Sequence, residues 1–308
     1  MQSFTRRRFL AISACALALG TQVSAMPQIT QWHATALGAH TTLSLAHPDA
    51  KAIAGEVFAE LRRLEGIFSL YQPDSAISRL NRDGRLLAPP FELLECLGLC
   101  HRMHKVSGGL FDPTVQPLWT AYANPAAQDE GNPNQVERAQ ALLGWSRVAF
   151  DSQRIGFAQS GMAITLNGIA QGYIADRIAR LLSHRGLSDL MIDTGELRAL
   201  GGHPQGGGWP VTLETVDNKP VDTITLRDTA MATSAPAGTQ FASGRQAGHI
   251  LDPLTGRPSL APWRLVSVTG PSAAIADGLS TAICLMTDQQ AINAALSAFS
   301  GTRLVHLS

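Results

Sequence analysis

Strand-like and helix-like stretches both occur along this chain, which predicts a fold of sheets with packed helices. Three stretches carry that prediction. Ile29–Leu45 alternates in polarity around a turn near Gly38, as one or two strands. Ala50–Phe68 lines up Ile53, Val57, Leu61, Leu64 and Phe68 on one helical face, an apolar stripe that must be buried. Between Gly161 and Gly186, Met162, Ile164 and Leu166 alternate before Asn167-Gly168, and Ile169, Tyr173, Ile174, Ile178 and Leu181 then recur at helical spacing. That pattern reads as strand, tight turn, helix. Small residues at Gly168, Ala170 and Gly172 let a ligand approach the backbone, where a new helix offers unpaired N–H groups to an anion such as phosphate. A βα turn packed with small residues would look the same.

At 308 residues, 45% hydrophobic and 16% charged, the chain can bury a sizeable core as one large domain or two closely joined ones. No charged block is long enough to form a disordered tail, which argues against a nucleic-acid partner. Residues 1–25 read as an export signal: Arg6, Arg7 and Arg8, an apolar run, then Val23-Ser24-Ala25 before the cut. Arg6-Arg7 followed by Arg8-Phe9-Leu10 resembles the twin-arginine type, so the expected location is the periplasm. Ile12-Ser13-Ala14-Cys15 offers a competing lipoprotein box, but Cys15 lies too close to the arginines for the usual apolar region. The expected mature chain, 26–308, is a single domain with a formal charge of −3, from 21 basic against 24 acidic residues. No later run reaches the roughly 18–20 apolar residues that span a bilayer. Cys96 and Cys100, four apart on an expected helix, and Cys284 read as buried small hydrophobes rather than a bridge or metal clip.

After the helix at 50–68, Tyr71 and the turn Gln72-Pro73-Asp74-Ser75 precede a short helix ending at Leu80-Asn81. The loop suits either pocket lining or a capped helix start with Ser75 as its N-cap. Pro89-Pro90 opens a further helix through Leu93, Leu94, Leu97 and Met103 that stops at Ser107-Gly108-Gly109. Gly108–Trp119 is too irregular for either period; its Asp112-Pro113-Thr114 makes an Asx-type turn that presents Phe111 to a ligand or simply bends the chain. Residues 121–136 read as a polar surface loop, Ala139–Val148 as a helix leading into a strand, and Phe150–Phe157 as part of a hairpin.

Beyond the central stretch, strands are expected at Leu190–Ile192, Leu197–Leu200, Trp209–Glu214 and Val221–Leu226, with a flexible turn at Gly206–Gly208. Thr233, Ser234 and Thr239 supply small hydroxyls, and His249 precedes a second Asp-Pro turn. The final helix is expected to begin near Ser272. It carries Asp277 and Thr281 at i and i+4, so both oxygens share one face and suit a hard cation such as Mg²⁺. A carboxylate near a helix start and a threonine bonded back to a carbonyl would give the same pair without a metal.

Taken in order, FSLYQPDSAISRLN (68–81), GGLFDPTVQPLW (108–119), NGIAQGYIADRIARLL (167–182), DTGELRALGG (193–202), ATSAPAGTQF (232–241), HILDPLTGRP (249–258) and ADGLSTAICLM (276–286) resemble the ApbE family, the FAD:protein FMN transferases of bacterial cell envelopes. The resemblance covers nearly the whole mature chain. It implies a flavin-binding α+β protein that uses Mg²⁺ to cleave FAD and join FMN, through its phosphate, to a Ser or Thr hydroxyl of an acceptor protein, releasing AMP. The implied acceptors are envelope redox subunits with a short hydroxyl-rich Ser/Thr motif. Asp277 and Thr281 match the family's metal ligands, with the Gly168 carbonyl beside them. Leu37, Tyr71, Asn81, Phe111, Asp112, Thr165, Gln171 and Ile250 fall where the family lines its FAD site, and His249 matches the histidine that assists phosphoryl transfer.

Thr165, Asn167 and Gln171 depart from the family's commonest turn, replacing an acid, a glycine and a lysine. Losing the acid and the lysine together leaves the local charge unchanged but turns a charged contact into an amide contact. Asp193-Thr194-Gly195-Glu196 also lacks the usual double glycine. Because Asp277, Thr281 and His249 remain, an active variant is expected. A periplasmic FAD carrier and an FAD pyrophosphatase that passes FMN to water are the competing readings.

Overall fold

The computed structural model describes residues 28–123, 134–215, 217–238, 241 and 248–308. The expected export signal with Cys15, the middle of the polar loop and Thr239 lie outside the described residues. The first hairpin is β1 (Thr30–Ala36) and β2 (Ala39–Leu45), followed by α1 (Ala50–Phe68), α2 (Ala76–Asp83), β3 (Arg85–Leu87) and α3 (Phe91–Val106). Next come α4 (Gln116–Ala123), α5 (Asn134–Gln140), β4 (Val148–Phe150), β5 (Arg154–Phe157) and α6 (Ala170–His184). The chain continues with β6 (Leu190–Asp193), β7 (Leu197–Leu200), the separate hairpin of β8 (Trp209–Glu214) and β9 (Pro220–Leu226), and β10 (Ala230–Ser234). A short ladder, β11 (Leu251–Asp252) with β12 (Arg257–Pro258), leads to β13 (Val266–Gly270), α7 (Ala273–Ile283), α8 (Gln289–Ser297) and β14 (Arg303–Leu307).

The main sheet has seven strands in the order β1-β2-β6-β7-β10-β13-β14, and every neighbouring pair is antiparallel. The expected α+β class holds. Strand alternation sorts the side chains between two cores: Leu190, Ile192, Ala230, Ala232, Val266 and Val268 face the helices, while Met191, Met231, Leu213 and Trp209 pack on the other side beneath the β8–β9 hairpin. On the helical side α7 lies against β10 and β13 and is covered by α6 and α3. The expected stripes of α1 and α6 face inward, with Ile53, Val57, Leu61, Leu64, Tyr173, Ile174 and Ile178 all buried. Cys96, Cys100 and Cys284 are free and buried, as expected.

α6 and α7 meet at their N-terminal ends with almost no side chain between them. A β-carbon at Gly172 would overlap the Ala273 carbonyl and lie 2.7 Å from the Ala274 nitrogen, so only glycine fits. The junction is pinned by Asp176, which accepts the Ser272 hydroxyl at 2.6 Å and the N–H groups of Ala273 and Ala274 at 2.9 and 3.1 Å. Gly172→Ala is therefore expected to destabilise the protein by about 1–3 kcal/mol through overpacking. Gly55→Ala, on an exposed and open position of α1, should instead stabilise it by roughly 0.5–1 kcal/mol. Paired urea titrations of the two variants check both signs.

Several expectations give way to the contacts the fold supplies. Met162, Ile164 and Leu166 are buried but form no strand. Their backbone is held instead by the Asn81 side chain, which accepts the Ile164 N–H and donates to its carbonyl at 2.8 Å each, and by the Pro113 carbonyl, which accepts Thr165 N–H. The irregular Gly108–Trp119 stretch contains a 3-10 turn at Pro113–Val115 that runs into α4, with a proline tolerated in its first turn. The helix expected within 139–148 lies earlier, as α5, and a 3-10 turn at Trp145–Arg147 leads into β4. The helix after Ser272 is not the last: α8 and the edge strand β14 follow it.

Candidate active site

A cavity of about 540 Å³ opens where α6, α7, the loop before α4 and the segment around His249 converge. Its size suits a nucleotide-sized ligand. Tyr71, Phe111, Asp112, Thr165, Gly168, Gln171, His249, Ile250, Asp277 and Thr281 all line it. Residues more than 200 positions apart in the chain thus form one wall.

The floor is α7. Ser272 caps the helix by accepting Ile275 N–H, which sets the register that turns Asp277 and Thr281 toward the cavity. Gly168 packs directly on Thr281, since a β-carbon there would lie 3.0 Å from its hydroxyl oxygen. Ser234 approaches the same hydroxyl at 3.4 Å and bonds Ser280 at 2.7 Å. Asp277 is 2% exposed, and its Oδ2 accepts the Gly172 N–H at 3.4 Å, a long bond. Burial pushes this carboxyl up to about 8, against the pull of that N–H.

Beside the floor stands Glu196, a residue that sequence reasoning did not select. It is 7% exposed, lines the cavity, and leaves Oε2 without a hydrogen-bond partner. Burial first, and the neighbouring Asp277 second, raise its carboxyl well above the ordinary range, while the Thr233 N–H opposes them. Its one sequence feature, an acid directly after Gly195 at the mouth of a strand, does not by itself mark a site. Gly195 has a positive φ of 97°, and a β-carbon there would lie 2.7 Å from the Gln171 amide. Glycine at that position therefore lets Gln171 lie across the turn that carries Glu196.

The aromatic side is uneven. Tyr71 stands 74% exposed at the mouth, whereas Phe111 is 6% exposed and forms part of the cavity wall. Asp112 lines the cavity but its carboxylate is committed locally. It accepts Thr114 N–H and hydroxyl at 2.8 and 2.6 Å and Trp145 N–H at 3.2 Å, the expected Asx turn extended into a bracket. Two predicted site residues are not in the wall. Asn81 spends its amide clamping Ile164, as described above. Leu37 occupies the β1–β2 turn at φ 50°, its N–H donated to Glu65, with the adjacent Gly38 packed near Tyr71.

Among the described residues no group of three or more His, Cys, Asp and Glu side chains stands at metal-binding spacing. A cation here would rest on a mixed oxygen set, which suits Mg²⁺ and not a thiolate- or imidazole-bound metal. The residues fit such an ion: two buried carboxyls, one with an orphaned oxygen, face the same space as a threonine hydroxyl and the Gly168 backbone.

The ApbE family model matches residues 30–303. The FAD:protein FMN transferase of Haemophilus influenzae is 27% identical over 256 residues, covering 78% of this chain and 74% of the relative. That of Chlamydia pneumoniae is 27% identical over 294 residues, covering 92% and 90%. The apo crystal structure of the Pseudomonas stutzeri flavinyl transferase ApbE superposes with a TM-score of 0.74 at 26% identity, covering 88% of each chain. With the family model spanning nearly all of its described elements and the fold shared with a solved member, this chain belongs to the ApbE family.

Proposed function

We propose that the protein is a Mg²⁺-dependent FAD:protein FMN transferase. The observation that carries the reading is the convergence of His249, Asp277, Thr281 and Gly168 on one cavity with aromatic residues in its wall and at its mouth. Relatives named FAD:protein FMN transferase, matched over most of their length, support it. Asp277, Thr281 and the Gly168 carbonyl would hold the cation, which when bound supplies positive charge to a pyrophosphate. FAD would lie along Tyr71, Phe111, Thr165, Gln171 and Ile250. His249 takes the proton of an acceptor Ser or Thr hydroxyl as its oxygen attacks the flavin-side phosphorus. The bond from that phosphorus to the bridging oxygen breaks, the new phosphoester joins FMN to the protein, and AMP leaves with the electron pair. The proposal extends to export of the chain to the periplasm by the twin-arginine route, which fractionation of cells with and without Arg6→Lys/Arg7→Lys would check.

One observation favours a second reading: Gln171 stands in the cavity wall where the family's commonest turn carries a lysine, so FAD binding without turnover is the competing activity. The deciding experiment incubates residues 26–308 with FAD, Mg²⁺ and an acceptor domain carrying a Ser/Thr flavinylation motif, then weighs the acceptor and assays AMP. A Mg²⁺-dependent gain of one FMN with stoichiometric AMP is expected. Intact bound FAD would establish the carrier, and free FMN with AMP beside an unmodified acceptor would establish a pyrophosphatase.

A further inference from the structure

Glu196 is buried more deeply than any stabilising bond explains. Its turn is stitched to α6, because Thr194 donates its hydroxyl to the Gln171 carbonyl at 2.9 Å and Asp193 accepts Gly195 N–H at 2.9 Å. The next α6 residue, Gly172, donates to Asp277. This chain of contacts brings Glu196 and Asp277 into one cavity wall, each at least nine-tenths buried. One Glu196 oxygen has no partner, and no Lys or Arg is among the described residues that line the cavity. Buried acids are normally bonded or paired, and two side by side without a counter-charge are costly. A small hard cation satisfies both.

We propose that Glu196 is a further cation-holding residue, which with Asp277 forms a dicarboxylate that loads Mg²⁺ or Mn²⁺ before FAD enters. The inference rests on the cation site at Asp277 proposed above and adds a ligand and an order to it. FAD then meets a cavity whose two carboxylate charges the dication has already neutralised, so its phosphates enter without repulsion although no lysine or arginine stands among the described lining residues.

The test is Mn²⁺ binding to the FAD-free protein, followed by the electron paramagnetic resonance of free Mn²⁺, with thermal melting in EDTA as a fold control. Wild type is expected to bind one Mn²⁺, with affinity lowered at least tenfold in both Glu196→Gln and Asp277→Asn. Glu196→Gln should melt no lower than wild type in EDTA, since the amide keeps the shape and removes a buried acid. If that variant fails to fold, Glu196→Asp carries the test, with a severalfold loss of affinity expected. Wild-type Mn²⁺ affinity in a folded Glu196 variant, with binding lost in Asp277→Asn, would overturn the role of Glu196 and leave the cation site standing. Mn²⁺ bound by wild type only once FAD is added would overturn the loading order. No Mn²⁺ bound with or without FAD would remove the cation site itself, and this inference with it.

Discussion

Asp277→Ala should abolish FMN transfer, a fall of about a thousandfold or more, as expected when several kcal/mol of charge stabilisation is withdrawn from a phosphoryl-transfer step. The carboxylate is 2% exposed at the cavity floor and is bonded only weakly, by a 3.4 Å N–H contact from Gly172. Its removal therefore subtracts charge from the site while taking little from the fold. Asp277→Asn, nearly isosteric, should keep wild-type melting and show the same loss. The measurement is the initial rate of acceptor modification across a Mg²⁺ titration. Undiminished turnover in either folded variant would remove the metal role from Asp277.

His249→Ala should slow transfer by about 10²–10⁴-fold, the usual contribution of a positioned proton acceptor. His249 lines the cavity beside Ile250, where an incoming hydroxyl could reach it. FAD affinity should change far less than the rate. Equilibrium FAD fluorescence and single-turnover transfer, measured on the same preparation, separate the two effects. Equal losses in both would make the histidine a binding residue.

How much of this could be read in the sequence follows from which interactions are local. The stripe of α1, the Ser75 cap of α2 and the Asx turn at Asp112 depend on residues within one or two turns of each other, and all three formed as read. The stretch at 162–166 shows the limit. Its alternation correctly reported burial, but burial alone does not make a strand, and the partners that hold it are an asparagine side chain and a proline carbonyl far away in sequence. Asn81 was assigned to the flavin site by resemblance alone, and nothing local in the sequence shows that its amide clamps the Ile164 backbone 83 residues away. Asp277 and Thr281 were legible because helical spacing alone puts them on one face. Glu196 was not, because only the crossing of α6 with α7 tells an acid at a strand mouth that it lies beside another acid.

That crossing also governs when the protein can finish folding during synthesis. α7 is buried on almost every side, yet it begins only at residue 273. A nascent chain therefore emerges with the apolar faces of α1, α3 and α6 complete and nothing to cover them, and β10 waits for β13 to close its far edge. Until that late segment appears, the intermediate displays the surface that chaperones and proteases recognise. Premature termination before α7 removes Asp277, Thr281 and the central core helix in one event, so an incomplete product loses part of its cavity together with the cover of its core.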